Sequence, residues 1–342
     1  MTLNIVRTDL PLHPIFDETV RADSGFDLAI CPVAADPAAA LNILEHAHAF
    51  HLWPAKDEVP THLRIDDVLL ARCRSLLVAS SVGAGYDTID VDACTRAGVA
   101  VVNQAGGNAV SVAEMTLGLM LSVGRRIAAC DRFLRQPTDA ARTAFLSHEL
   151  AGSTLGLIGI GHVGSRVARL ARAFDLQVLA SDPYVDDARI RERGAEPADF
   201  DAVLARADYV SVHCPLTDET RGLFDSAAFA RMKQGAIFIN TARGFIHDER
   251  ALQAALSSGH LAGAGLDVWD VEPPRRDHPL LAMDHVVGTW HLAGVTFEAR
   301  KAIARMGAEQ LIGMARGERP PRLINPQVWP TFLERLARAN AR

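Results

Sequence analysis

Short runs of Val, Ile and Leu recur along the chain, separated by segments whose apolar residues repeat at helical spacing. The first group predicts strands at Leu3–Arg7, Phe26–Cys31, Ala49–Trp53, Ser75–Ser80 and Val99–Asn103. The second predicts strands at Leu155–Ile160, Gln177–Ser181, Tyr209–His213, Ala236–Asn240, Ala264–Val268 and His285–Thr289. Apolar strands alternating with helices imply βαβ units and parallel sheets. There are too many strands for one ordinary sheet, so two α/β domains are expected.

Two long helical patterns sit where these groups meet. One covers 111–126, with Val112, Met115, Leu119 and Val123 on one face; the other covers 296–315, with Ile303, Met306, Leu311 and Met314. If the C-terminal segment returns to the first strand group, these helices carry two interdomain crossings and form a hinge over a cleft. The expected division is 1–108 as the first part of a smaller domain, 109–295 as the larger one, and 296–342 as crossing helix and return. The apolar side of the tail 331–342, with Phe332, Leu333 and Leu336, is expected to pack on the smaller domain.

Composition narrows the class. A length of 342 residues fits two domains, and 49% hydrophobic with 22% charged residues fits an ordinary globular protein. A net charge of -6 gives no sign of a nucleic-acid partner or an anionic membrane surface. The five cysteines are scattered with no CxxC pair, implying reduced thiols in a cytoplasmic protein. The N-terminus lacks the pattern of a signal peptide, and the apolar stretch 115–123 is too short to span a bilayer. His46, His48 and His51 invite a metal reading, but no acidic or cysteine ligand completes a site, so no metal is expected.

The sharpest local signal is Gly-Leu-Ile-Gly-Ile-Gly-His-Val-Gly at 156–164, in which Gly159, Gly161 and Gly164 form GxGxxG between a strand and a helix predicted at 165–174. The first glycine permits the tight turn, the second a close approach of backbone to pyrophosphate, and the third close helix packing. The helix N-terminus adds unpaired N–H groups and a partial positive charge. Asp182 ends the next strand about twenty residues on, where a carboxylate binds ribose hydroxyls and repels a 2′-phosphate. NAD is therefore expected rather than NADP.

Three later segments begin at or near the C-terminal ends of predicted strands: Asn240-Thr-Ala-Arg-Gly244, Gly265-Leu-Asp-Val-Trp-Asp-Val-Glu-Pro273 and Thr289-Trp-His-Leu-Ala-Gly294. They bring an arginine, a glutamate and a histidine to one rim. With Ser81-Val-Gly-Ala-Gly-Tyr-Asp87, Val112-Ala-Glu114 and His213-Cys-Pro-Leu-Thr217, they make the chain resemble the D-isomer-specific 2-hydroxyacid dehydrogenases from about 80 to 326.

The resemblance implies two Rossmann-like domains, an NAD-binding doubly wound parallel sheet and a smaller flavodoxin-like substrate domain, with a cleft between. It implies NAD-dependent interconversion of a small D-2-hydroxy acid and its 2-keto acid, with Arg243, Glu272 and His291 as the catalytic triad. Histidine suits proton donation to a carbonyl because it titrates near working pH. Glutamate would hold its second nitrogen, and arginine would bind the substrate carboxylate. By the same resemblance, cofactor contacts fall on His162, Val163, His213, Cys214, Pro215, Thr241, Asp267, His291 and Gly294, besides the glycines and Asp182. Asp267 would bond the nicotinamide carboxamide. Substrate contacts fall on Ser81, Val82, Gly83, Arg243 and His291, with the amides of Val82 and Gly83 as a carboxylate nest. Homodimerisation is expected through the region around 111–150.

Two departures from the family pattern stand out. Trp290 replaces the proline that most members carry before the histidine, and it either packs beneath the site or narrows it. Ser81 stands where some relatives carry arginine, which disfavours substrates with a second carboxylate or a phosphate. Two other readings of the same resemblance stay open, an NAD-sensing corepressor-type regulator and a phosphite dehydrogenase-like enzyme.

Overall fold

The computed structural model describes residues 2–136 and 139–341; Met1, Pro137, Thr138 and Arg342 lie outside the described residues. The last residue of the expected tail helix and two residues of the expected dimer region are therefore outside it. The chain opens with β1 (Leu3–Thr8), α1 (Ile15–Arg21), β2 (Phe26–Cys31), α2 (Pro37–Leu44), β3 (Ala49–Leu52), α3 (Asp67–Arg72), β4 (Val78–Ser81), α4 (Val91–Arg96) and β5 (Ala100–Val102). It continues with α5 (Ala109–Gly124), α6 (Ile127–Leu134), β6 (Thr154–Ile158), α7 (His162–Ala173), β7 (Gln177–Ser181), α8 (Asp187–Glu192), β8 (Glu196–Pro197), α9 (Phe200–Arg206) and β9 (Tyr209–Val212). It closes with α10 (Ser226–Arg231), β10 (Ile237–Asn240), α11 (Glu249–Ser257), β11 (Gly263–Leu266), β12 (Val286–Gly288), α12 (Phe297–Ala315) and α13 (Trp329–Asn340).

Two compact units result, one of residues 1–108 with 296–342, the other of residues 109–295. The first carries a parallel five-stranded sheet in the order β2-β1-β3-β4-β5, the flavodoxin-like doubly wound order. Side chains alternate across it, and both faces are buried, as parallel sheets require. Val6, Phe50, Leu52, Ala79 and Val101 enter one core. Leu3, Ile5, Ala49, Val78 and Ala100 enter the other, where α12 contributes Ala308 and Leu311. The tail helix α13 adds Phe332 and Leu336 to this second core. Asn325 ties the tail to β5, accepting from the Val101 N–H at 2.8 Å and donating to the Val99 carbonyl at 3.0 Å.

The second unit is a parallel seven-stranded sheet in the order β12-β11-β10-β9-β6-β7-β8. The strand order reverses between β6 and β9, and ligands of open α/β sheets bind beyond the carboxyl ends of the strands at such a point. β8 escapes a reading by pattern because it is a two-residue edge strand containing a proline. α7 begins at His162, earlier than the predicted 165, so the glycine loop runs straight into helix. α5 ends at Gly124, and Arg126 at φ 56° turns the chain into α6.

The histidine cluster separates by environment. His51 is fully buried, stacked on Phe16 at 4.5 Å and bonded through Nδ1 to the Ser80 hydroxyl at 2.9 Å. Burial pulls its pKa down to about 3, so it is a neutral core residue. His48 accepts the Asn4 N–H on Nδ1 at 3.0 Å, and His46 stays exposed.

Candidate active site

The glycine loop shows why each glycine is required. Gly159 has φ 93°, and a Cβ there would lie 2.8 Å from the Cys214 nitrogen. A Cβ at Gly164 would meet the Gly159 carbonyl oxygen at 2.3 Å. At Gly161 a Cβ would meet no atom within 4 Å, so this backbone is open to close approach. The first turn of α7 leaves the amides of His162, Val163 and Gly164 without helical partners and adds the positive end of its dipole. Asp182 accepts from the Ile160 amide at 3.0 Å and the Tyr184 amide at 3.1 Å, which fixes its carboxylate over the loop. Tyr184 donates its hydroxyl to Glu219, placing a second carboxylate near Asp182. An open Gly161, unpaired helix amides and a fixed ribose-type carboxylate fit a dinucleotide without a 2′-phosphate.

Across the switch point, His213 bonds through Nε2 to the Ser211 hydroxyl at 2.9 Å, and burial lowers its pKa to about 3. Burial also pushes the Cys214 thiol up to about 11, which makes it a neutral wall. Pro215 is exposed beside them. Thr241 is buried, its hydroxyl 3.0 Å from that of Thr116 on α5.

His291 and Glu272 meet directly. The imidazole Nδ1 lies 2.7 Å from Glu272 Oε2, and Glu272 Oε1 accepts the Trp269 amide at 3.0 Å. Burial acts to raise the Glu272 carboxyl, but His291, the Trp269 amide and the nearby charge of Arg243 hold it below its usual value. The carboxylate is thus ionised and can only accept, so Nδ1 carries the proton and Nε2 is left for other chemistry. Arg243 is half-buried and donates to the Ala242 carbonyl at 2.7 Å.

Backbone geometry at His291 is unusual. Its φ is 59°, a left-handed conformation that costs a non-glycine residue about 1–3 kcal/mol. Asp267, fully buried at the end of β11, holds it there. Its carbonyl accepts the His291 amide at 2.5 Å. Its carboxylate accepts the Thr289 hydroxyl at 2.6 Å and the amides of Leu292 at 2.8 Å and Ala293 at 2.9 Å. Holding this loop is a task that motif reading did not assign to Asp267. Gly294 follows the clamp directly. Trp290 is 55% exposed.

A second set of contacts, unseen in the sequence, joins the arginine loop to the glutamate loop. Gly244 lies so close to the Trp269 carbonyl that a Cβ would be 2.1 Å from its oxygen. Asp270 accepts the Phe245 amide at 2.7 Å, and its own amide donates to Glu249, which also bonds His278 at 3.0 Å. Asn240 donates to the Arg243 carbonyl at 2.9 Å and accepts the Ala242 amide at 2.9 Å. The Trp269 indole donates to the Thr289 carbonyl at 2.7 Å, tying the glutamate loop to the histidine loop.

In the first unit, the loop after β4 differs from its expected form. The Val82 amide donates to the Leu52 carbonyl at 2.9 Å, extending the ladder between β3 and β4 by one residue. It is therefore not free to join a carboxylate nest. Of the expected pair only Gly83 lacks a ladder bond; its amide lies 3.4 Å from the Ser81 hydroxyl, which itself donates to the Gly85 carbonyl. Asn103 donates to the Ala84 carbonyl at 2.7 Å, and Gln104 to the Ser81 carbonyl at 3.2 Å, bracing this loop.

Known proteins resemble this chain in sequence and fold. The family described as D-isomer specific 2-hydroxyacid dehydrogenase, NAD binding domain, matches residues 117–293. The chain is 40% identical over 277 residues to D-3-phosphoglycerate dehydrogenase of Archaeoglobus fulgidus, covering 81% of this chain and 52% of that protein. It thus spans about half the length of that curated relative. Glyoxylate reductase of Aeropyrum pernix is 39% identical over 271 residues, covering 78% of this chain and 81% of that protein. Among solved structures, D-lactate dehydrogenase of Aquifex aeolicus, complexed with NAD and lactic acid, superposes with a TM-score of 0.78 at 26% identity, covering 92% of this chain and 96% of that one.

The clamp is testable apart from turnover. Asp267→Asn replaces one of the two accepting oxygens with an NH2 donor and removes the charge, losing a charge-assisted bond worth about 1.5–3 kcal/mol. The amide protons of Leu292 and Ala293 should then exchange at least about tenfold faster. Unchanged exchange at both would show that Asp267 does not hold the loop.

Proposed function

The chain belongs to the D-isomer-specific 2-hydroxyacid dehydrogenase family, and on that premise we propose that it interconverts a small D-2-hydroxy acid and its 2-keto acid with NAD(H). The bond between Glu272 and His291 carries this reading. When bound, the nicotinamide gives or takes the hydride. The protein's own part is proton transfer, charge and position. In reduction, His291 donates the proton on Nε2 to the carbonyl oxygen as it becomes a hydroxyl, and Glu272 stabilises the imidazolium that precedes donation. In oxidation, neutral His291 takes that proton back. Arg243 presents a fixed fork of donors to the substrate carboxylate and carbonyl.

A proton-donating histidine with an ionised partner supports acid–base chemistry on a carbonyl. The carboxylates of Asp182 and Glu219 support NAD over NADP. A glyoxylate- or hydroxypyruvate-like acid is the favoured substrate class, in line with the name of one relative; the substrate of a short phosphoglycerate-dehydrogenase-like enzyme is the alternative, which Ser81 disfavours. The five cysteines are free thiols, which supports a cytoplasmic setting. No helix among the described residues is long and apolar enough to cross a membrane.

The second copy is assigned to the face carrying α6. Ile127, Leu134 and Leu146 are 55%, 80% and 75% exposed in the expected dimer region and supply its apolar side chains. Sedimentation velocity should give a homodimer, and Leu134→Asp with Leu146→Asp should give monomers; a monomeric unmodified protein removes the assignment.

The reaction is tested by following NADH and NADPH absorbance across glyoxylate, hydroxypyruvate, pyruvate and phenylpyruvate. NADH should be consumed with at least one, and His291→Ala should lower turnover by about 10²–10⁴-fold while NADH binding is retained. Full activity of that variant, or no oxidation with any 2-keto acid, contradicts the proposal. Asp182→Ala should narrow the preference for NADH over NADPH; an unchanged ratio would take Asp182 out of cofactor selection.

A further inference from the structure

The N-terminal edge of the first unit's sheet carries a feature that the proposed reaction does not use. An open groove of about 550 Å³ lies there, within the usual range for small-molecule sites. Its polar lining includes His46 and His48 before β3, Arg74 and Ser75 before β4, and Arg335 and Arg338 on α13. No acidic residue lines it, in a chain whose net charge is -6. The motif that looked like a metal cluster and the tail that extends past the family pattern therefore meet at one place.

The state of each group favours an anion. Arg335 is half-buried, and its guanidinium spans the carbonyls of Ala97 at 3.0 Å, Gly98 at 2.9 Å and Arg74 at 2.8 Å. These bonds orient the fork but leave its charge without a carboxylate among the described residues, and burial lowers its pKa. Three backbone carbonyls, two of them at the C-terminal end of α4, compensate this charge, and the guanidinium adds positive potential to the groove wall. Arg74 makes a single bond of 3.4 Å, to the Ala71 carbonyl. Arg338 faces Glu334 at 3.7 Å, with the two side chains 76% and 69% exposed, a pair worth little in water. His48 accepts on Nδ1 from Asn4, and burial lowers its pKa, so the neutral ring carries its proton on Nε2 as a donor. Neutralising the C-terminal end of α13 would account for Arg338 alone. It does not account for Arg74, nor for the histidines, which come from other elements.

We propose that this groove binds a small molecule carrying two or more anionic groups, of the phosphorylated-metabolite class. Guanidinium forks on both sides match phosphate oxygens, and the His48 ring and Ser75 hydroxyl supply neutral donors between them. The groove lies at the start of β1, β3 and β4, whereas the Ser81–Gly85 loop follows the end of β4. Its ligand would therefore not compete for that loop.

Pyrophosphate is the probe, titrated calorimetrically into the full chain at about 0.15 M ionic strength, where loose surface attraction is screened. Arg74→Glu with Arg338→Glu should weaken binding at least about tenfold, with NADH oxidation unchanged. Ser75→Asp, which adds a charge at an exposed position and removes no packing, should weaken it as well. Absence of binding to the unmodified protein would overturn the proposal. Equal affinity in both variants would overturn it too, by assigning the anion to the N-terminus of α7.

Discussion

The carboxylate of Asp267 is the fixed point of the second unit. It is buried, it accepts from a hydroxyl and two amides of the 289–293 segment, and its backbone carbonyl accepts the amide of His291. Those bonds outweigh the cost of a histidine with positive φ, and they aim the imidazole at Glu272. Without them the chain would relax at His291, and the 2.7 Å contact between imidazole and carboxylate would have nothing to keep it. A buried anion satisfied by amides of one short loop is a rigid support, because any movement of the loop exposes an unpaired charge.

The remaining contacts extend that rigidity to the arginine. Gly244 lets the Arg243 loop press against the Trp269 carbonyl, Asp270 holds the Phe245 amide, and Trp269 reaches across to the Thr289 carbonyl. Arginine, glutamate and histidine thus stand on loops cross-linked by hydrogen bonds between side chains and backbone rather than on long flexible connections. In the proposed reaction this preorganisation matters more than any single bond, since proton transfer and carboxylate binding must be aligned at once.

Much of this was legible in the sequence because it has a local signature. GxGxxG followed by Asp182 is a spacing, and the apolar runs of both sheets are a pattern; each states its physics within about twenty residues. The pairing of Glu272 with His291 has no such signature and came into view only through family resemblance. Resemblance assigned Asp267 to the nicotinamide carboxamide, and nothing local says that its oxygens accept from the histidine loop. Val82 illustrates the opposite case. Its amide looked available, but the register of β3 with β4 consumes it. Asp270, Glu249 and Trp269 act between loops distant in sequence, where neither period nor spacing marks them. The histidines before β3 and the arginines of α13 are separated by nearly the whole chain, and only the fold brings them together.

The central claim is that an ionised Glu272 fixes the His291 tautomer, with the proton on Nδ1 and Nε2 left for the substrate. Nitrogen-15 NMR of histidine-labelled protein measures this directly, His291 being assigned by its loss in His291→Gln. The account predicts an Nδ1 that stays protonated across neutral pH, while the protonation change with pH appears at Nε2. A neutral His291 protonated on Nε2, with Nδ1 bare beside Glu272, would contradict it.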